Sequence, residues 1–201
     1  MSGAGRNPRN VRPNPPARGE GADRQIRKTY GAIIAAFNEL ILERRYEDIR
    51  VSDIIELADV GRSTFYEHFR DKDEVLRQSL SGVLSVVASV IDDECDTSRL
   101  QFMLEHFREQ RRLARGLLSG PSANEVVGVL ADLIEESLAA RIRKSGVKPT
   151  IPTALVAAQA AGALLGILRV WLDSEHVCSS ATLAEAMHRL ARASTLALLG
   201  E

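Results

Sequence analysis

A chain of 201 residues, 45% hydrophobic, 26% charged and only 4% aromatic, can bury a sizeable core, as one domain or as a small domain fused to a larger one. Its net charge of −1 at pH 7 gives the whole molecule no basic signature, which excludes tight, sequence-indifferent binding of nucleic acid through bulk charge. Scarce aromatics and abundant alanine favour helices over sheets. Cys95 and Cys178 stand alone, without CxxC spacing, and read as reduced thiols of a cytoplasmic protein.

Residues 1–23 form the first segment. They hold four prolines and Arg6, Arg9, Arg12 and Arg18, with nothing apolar to bury, and predict a disordered arm. The arginines support a second reading, a basic arm that touches phosphates or the minor groove. The segment lacks the apolar stretch of a secretory leader. From Arg24 the pattern turns helical: Tyr30, Ile33, Ile34, Phe37, Leu40 and Ile41 recur at the spacing of one buried face. Short helices follow at 52–58 and 62–69, and a longer one starts near Lys72 and runs towards Asp92. Further helical stretches are 98–118, 123–144, 153–172 and 181–199, separated by Pro121, by Gly146 to Pro149 and by Ser179-Ser180. No segment alternates with period two for long enough to make a strand. The expected class is therefore all-α. The most apolar stretch, 151–172, is rich in alanine and interrupted by Gln159 and Arg169, so no membrane span is expected.

The stretch from Val51 to Phe69 carries the functional signal. A helix-turn-helix needs a short helix, a tight turn and a second helix whose first residues reach base edges in the major groove. Ala58 is the small residue near the turn, Asp59 tolerates positive φ, Val60 packs inward and Gly61 serves as N-cap. Arg62, Ser63 and Thr64 then open the second helix with polar groups suited to bases. Phe65 and Phe69 anchor its inner face, and Tyr66 and His68 flank it where phosphates would lie. Lys72 opens the next helix, whose N-terminal N–H groups suit a phosphate.

This stretch resembles the TetR family of bacterial regulators. The closest echo is Ser-Thr-Phe-Tyr-x-His-Phe-x-x-Lys, here Ser63 to Lys72. The likeness covers residues 25–77 and includes Ala35-Ala36, Leu40, Tyr46, Asp71 and Val75-Leu76. Two positions depart from it: Arg45 stands where many members have Gly, and Arg50 where many have a Thr that caps the second helix. The resemblance implies a DNA-binding domain over 24–72, a helical dimerisation and effector-binding domain over 73–201, and DNA contacts at Arg50, Val51, Ser52, Arg62, Ser63, Thr64, Tyr66, His68 and Lys72. It also implies a homodimer on a roughly palindromic double-stranded operator, acting as a repressor released by a small-molecule effector.

The sequence supports dimerisation independently. Ala158, Gly162 and Gly166 recur every four residues and make a smooth helix face, and the last helix offers Leu183, Met187 and Leu190; two such helices per subunit would build a four-helix interface about a two-fold axis, the alternative being that this face packs inside the monomer. The Leu-Arg-x-Trp-Leu ending at 168–172 resembles the matching helix of one TetR-like branch. Phe102, Met103, His106, Phe107, Val129 and Leu133 are the candidates for a pocket taking a small apolar effector, with plain core packing the favoured reading for the apolar ones. Arg108, Arg111, Arg112 and Arg115 read as a solvated charged face, or alternatively as a receiver for an anionic effector. Nothing in the sequence suggests an enzyme, a cofactor or a metal site: there are no paired carboxylates, nucleophile motif or Gly-rich phosphate loop, and the histidines are scattered. The alternative regulator has no small-molecule effector and answers to a protein partner or acts constitutively.

Overall fold

The computed structural model describes residues 18–93, 95–146, 148–174 and 178–199, with side chains over the 23–197 part of these. Most of the predicted N-terminal arm lies outside them, as does His176. Among the described residues there are nine α-helices and no strand. The helices are α1 (Arg18–Glu43), α2 (Val51–Ala58), α3 (Arg62–His68), α4 (Lys72–Ala88), α5 (Thr97–Glu109), α6 (Arg111–Ser119), α7 (Ala123–Ser145), α8 (Thr153–Asp173) and α9 (Ser180–Leu199), with short 3-10 turns at Tyr46–Asp48 and Ser89–Ile91.

Two boundaries correct the sequence reading. Helix α1 begins at Arg18, so the last residues assigned to the arm are helical. The predicted helix over 98–118 is broken at Gln110, whose φ of −96° and ψ of 32° end α5 and begin α6. Elsewhere the punctuation acts as expected: Gly146 takes a left-handed φ of 70° and its N–H returns to the carbonyl of Ile142, closing α7.

Helix α1 packs on α2 and α4, while α7 packs on both α4 and α8, and α9 lies against α5 and α8. One continuous apolar core runs from Ile33 on α1 to Ala191 on α9. Helices α1–α3 and the C-terminal bundle therefore share packing through α4. Ion pairs reinforce the junctions: Arg77 of α4 meets Glu125 of α7 at 2.7 Å, and Asp93 holds Arg192 of α9 at 2.7 Å and Arg141 of α7 at 3.2 Å. Two helical stretches, Lys72–Ile91 and Thr153–Asp173, are long and apolar enough to cross a membrane, but about half of each is buried inside this fold, as expected for core helices.

Candidate nucleic-acid interface

The two short helices owe their arrangement to their ends. Arg50 is the N-cap of α2 in extended backbone and makes no side-chain cap. Asp53 takes over, its carboxylate accepting the backbone N–H of Arg50 at 2.8 Å while lying 3.6 Å from the Arg44 guanidinium. This is how the helix starts without the usual capping Thr. Arg45 is also extended, at φ −69°, so the Gly common at that position is not required here. The turn is set by Asp59, at φ 51° and ψ 49°, the sole non-glycine residue with positive φ among the described residues. Its N–H bonds back to the last turn of α2, and the Val60 N–H reaches the Ile55 carbonyl at 3.2 Å. Gly61 then caps α3 in extended backbone.

Helix α3 is divided cleanly between inside and outside. Phe65 and Phe69 are buried, with ring centroids 5.9 Å apart, and Tyr30 of α1 stacks on Phe69 at 5.0 Å. These contacts fix the roll of α3 about its own axis. Arg62, Ser63 and Tyr66 are consequently exposed, while Thr64 and His68 are half-buried at the edges. The Arg62 guanidinium lies 5.7 Å from the Tyr66 ring centroid, within cation–π reach. Arg50 and Ser52 are exposed at the start of α2, and Val51 is half-buried beside them. The predicted DNA-contacting residues of α2 and α3 thus occupy the exposed ends and outer faces of neighbouring short helices.

Lys72 has a different environment. Its ammonium donates to the backbone carbonyls of Tyr46 and Ile49, both at 2.9 Å, and sits 4.3 Å from the Tyr46 ring centroid. The Tyr46 hydroxyl in turn donates to Asp73; burial first, and then this carboxylate, push the phenol above its ordinary pKa. The start of α4 is occupied as well: Asp71 accepts the Glu74 N–H at 2.8 Å, and Glu74 accepts the Arg70 N–H at 2.7 Å. Sequence reasoning placed Lys72 towards a phosphate; in the folded chain it clips the segment ahead of α2 to α4.

The remaining predicted residues are distributed as follows. On α5, Phe102 is 70% exposed and His106 faces outward beside Glu109, while Met103 and Phe107 are partly buried. On α7, Val129 is in the core and Leu133 is partly buried. On α8, Ala158 and Gly162 are exposed and Gly166 is half-exposed; on α9, Leu190 is exposed, but Leu183 and Met187 are buried within the subunit. Sequence reasoning missed Leu155 and Val170, exposed apolar residues on the same α8 face. Their spacing from Ala158 and Gly166 was the available signal.

A short helix, an αL turn and a second short helix with an outward polar N-terminus define a helix-turn-helix DNA-binding module. Residues 33–78 match the sequence model for bacterial regulatory proteins of the tetR family. YxbF of Bacillus subtilis strain 168, an uncharacterized HTH-type transcriptional regulator, is 36% identical over 56 residues, which is 27% of this chain and 15% of that relative. Over the whole fold, a TetR transcriptional regulator from Streptococcus agalactiae 2603V aligns with a TM-score of 0.55 at 27% identity, covering 87% of this chain and 99% of that one. RolR in complex with resorcinol shares the fold at a TM-score of 0.50 and 18% identity, over 86% of this chain and 95% of RolR. Residues 33–78 therefore carry a tetR-type DNA-binding domain, within a chain whose fold resembles that of a TetR transcriptional regulator.

Proposed function

We propose that this chain is a cytoplasmic homodimeric repressor that sets α3 of each subunit into successive major grooves of a roughly palindromic operator and is released by a small-molecule effector. The observation that carries the DNA-reading step is the roll of α3: Phe65 and Phe69 are locked inward, leaving Arg62, Ser63 and Tyr66 outward. Arg62, Ser63 and Thr64 read bases. Tyr66, His68, Arg50 and Ser52 meet phosphates, with the Val51 backbone beside them at the start of α2. Lys72 acts indirectly, by holding the segment that presents Arg50. The homodimer is supported by the exposed, apolar, small-residue face of α8 together with Leu190 of α9; Leu183 and Met187 would serve it as packing beneath the contact. On this reading 24–72 is the DNA-binding unit and 73–201 the dimerisation and regulatory unit.

The test is an electrophoretic shift on the promoter of the chain's own gene or a neighbouring one. Arg62→Ala with Tyr66→Phe is expected to weaken the specific complex by about 1–3 kcal/mol or more. Unchanged affinity would remove α3 as the reading helix.

A second reading, a DNA-binding regulator answering to a protein partner or acting constitutively, is favoured by one observation. Phe102 and His106 point outward and Val129 is in the core, an arrangement that offers little support for an apolar effector at those six residues. A compound that co-purifies with the protein or raises its melting temperature would count against this reading.

A further inference from the structure

We infer that the outer face of α6 is a binding site for a small metabolite bearing carboxylate or phosphate groups, coupled to the DNA-binding helices. The coupling rests on the proposed regulatory reading; the binding step stands without it. Helix α6 has nine residues, of which three are arginine and none acidic. Leu113, Ala114, Leu117 and Leu118 turn into the core. The opposite face, Arg111, Arg112, Arg115, Gly116 and Ser119, lines a shallow, largely open depression of about 630 Å³. That lining offers guanidinium and hydroxyl donors and no large apolar side chain, so it suits a compact anion. Gly116 leaves its wall open, since a Cβ there would meet nothing within 4 Å.

Two of the arginines are already held in place. Arg111 donates to the carbonyls of Leu172 at 2.5 Å and Asp173 at 3.0 Å, at the C-terminus of α8. Arg115 meets the Asp173 carboxylate at 2.6 Å. Arg112 is exposed and has no ion pair or hydrogen bond among the described residues. Arginines fixed by their neighbours lose little freedom on capturing a ligand, and their planar forks match carboxylate and phosphate groups. A ligand that engages Arg115 competes with Asp173, and so acts on the joint between α6 and α8.

The other end of α6 carries that change to the DNA-binding helices. It runs into Gly120, where an added Cβ would lie 2.7 Å from Glu47 Oε1 and 3.0 Å from the Gly116 carbonyl. Glu47 belongs to the turn Tyr46–Asp48 that precedes α2. The end of α6 thus lies against the Glu47 side chain of the turn that leads to Arg50, the contact through which a shift of α6 would reach that segment.

The test uses the full chain, with citrate and inorganic pyrophosphate as separate probes at constant ionic strength, to distinguish carboxylate from phosphate recognition. Isothermal titration should show saturable binding of at least one, weakened about tenfold or more in Arg112→Gln. The anion that binds should change operator affinity in the wild-type protein and leave it unchanged in Arg112→Gln. Absence of saturable binding of either probe up to about 10 mM, or binding indifferent to Arg112→Gln, overturns the site. Binding with no effect on an established operator complex overturns the coupling. Failure of the DNA-binding reading would appear separately, as no operator complex with or without anion.

Discussion

Asp59 occupies left-handed backbone at φ 51°, a conformation that costs a typical L-residue roughly 1–2 kcal/mol and that Asp or Asn tolerates best after Gly. Asp59→Val should therefore lower the unfolding free energy by about 1–2 kcal/mol, while Asp59→Gly should be neutral or mildly stabilising, since relief of strain is offset by greater freedom of the unfolded chain. Urea denaturation of the three proteins checks the order; a valine variant as stable as the parent would mean that the turn relaxes. This position was legible because a tight turn between two short helices needs a residue tolerant of positive φ, and Asp59 is the one at the right place. Lys72 was legible as part of a motif but not in its role, because its carbonyl partners, Tyr46 and Ile49, lie more than twenty residues away and no local periodicity reports them. Lys72→Met should cost about 1–3 kcal/mol of stability by leaving the Ile49 carbonyl without its donor, while the Tyr46 carbonyl keeps the Ile49 N–H, with the salt dependence of operator binding unchanged. A salt slope reduced by about one with stability intact would instead identify Lys72 as a phosphate contact.

Between elements, the informative junction is the one tied by Asp93. Hydrogen bonds from Arg192 and then Arg141 hold its carboxyl below the ordinary range, so the ionised form favours the folded state. Its contribution is present above the unfolded carboxyl pKa of about 3.9 and is lost as the pH falls further, through the depressed folded value. Asp93→Asn should accordingly be less stable than the parent at pH 7, with the difference shrinking as the pH drops below about 4. A difference constant across that window would mean that geometry, not charge, matters at this position. The same scale explains why the break between α5 and α6 was missed. No Gly or Pro marks it, and Ala114 and Leu118 continue the apolar phase of Leu100, Leu104 and Phe107 closely enough to suggest one helix. The visible trace is the run Arg108 to Arg112, five polar residues that would bring Arg111 onto the buried face of a continuous helix. Breaking the chain at Gln110 leaves Arg111 free to cap the carbonyls at the end of α8. On α9, Leu183, Met187 and Leu190 form one apolar stripe, with Leu190 at its exposed edge. Packing of α5, α8 and the turn Ser89–Ile91 buries the first two, which the apolar pattern alone does not distinguish from the third.

At the scale of the molecule, the outer face of α8 is left largely uncovered by the other described residues of the subunit. Leu155 and Val170 are 59% and 57% exposed, and Ala158, Gly162 and Gly166 lie between them on the same side. A monomer gains nothing from such a strip, whereas a second copy can approach it closely. Gly162 separates the two situations. A Cβ at this position meets nothing within 4 Å, and glycine within a helix is about 1 kcal/mol less favourable than alanine, so a larger residue should leave the subunit intact. In a dimer packed through this face, Gly162→Glu would place a carboxylate in a close apolar contact, where desolvation and steric overlap both oppose association. Sedimentation should then report a monomer that keeps its helical circular dichroism and cooperative unfolding. Because the two half-sites would be engaged independently, operator affinity should fall by about 100-fold or more. A Gly162→Glu protein that remains dimeric would move the interface away from α8. One that turns monomeric but binds its operator as before would show that a single α3 suffices to read it, and would remove the two-fold operator from the proposed function.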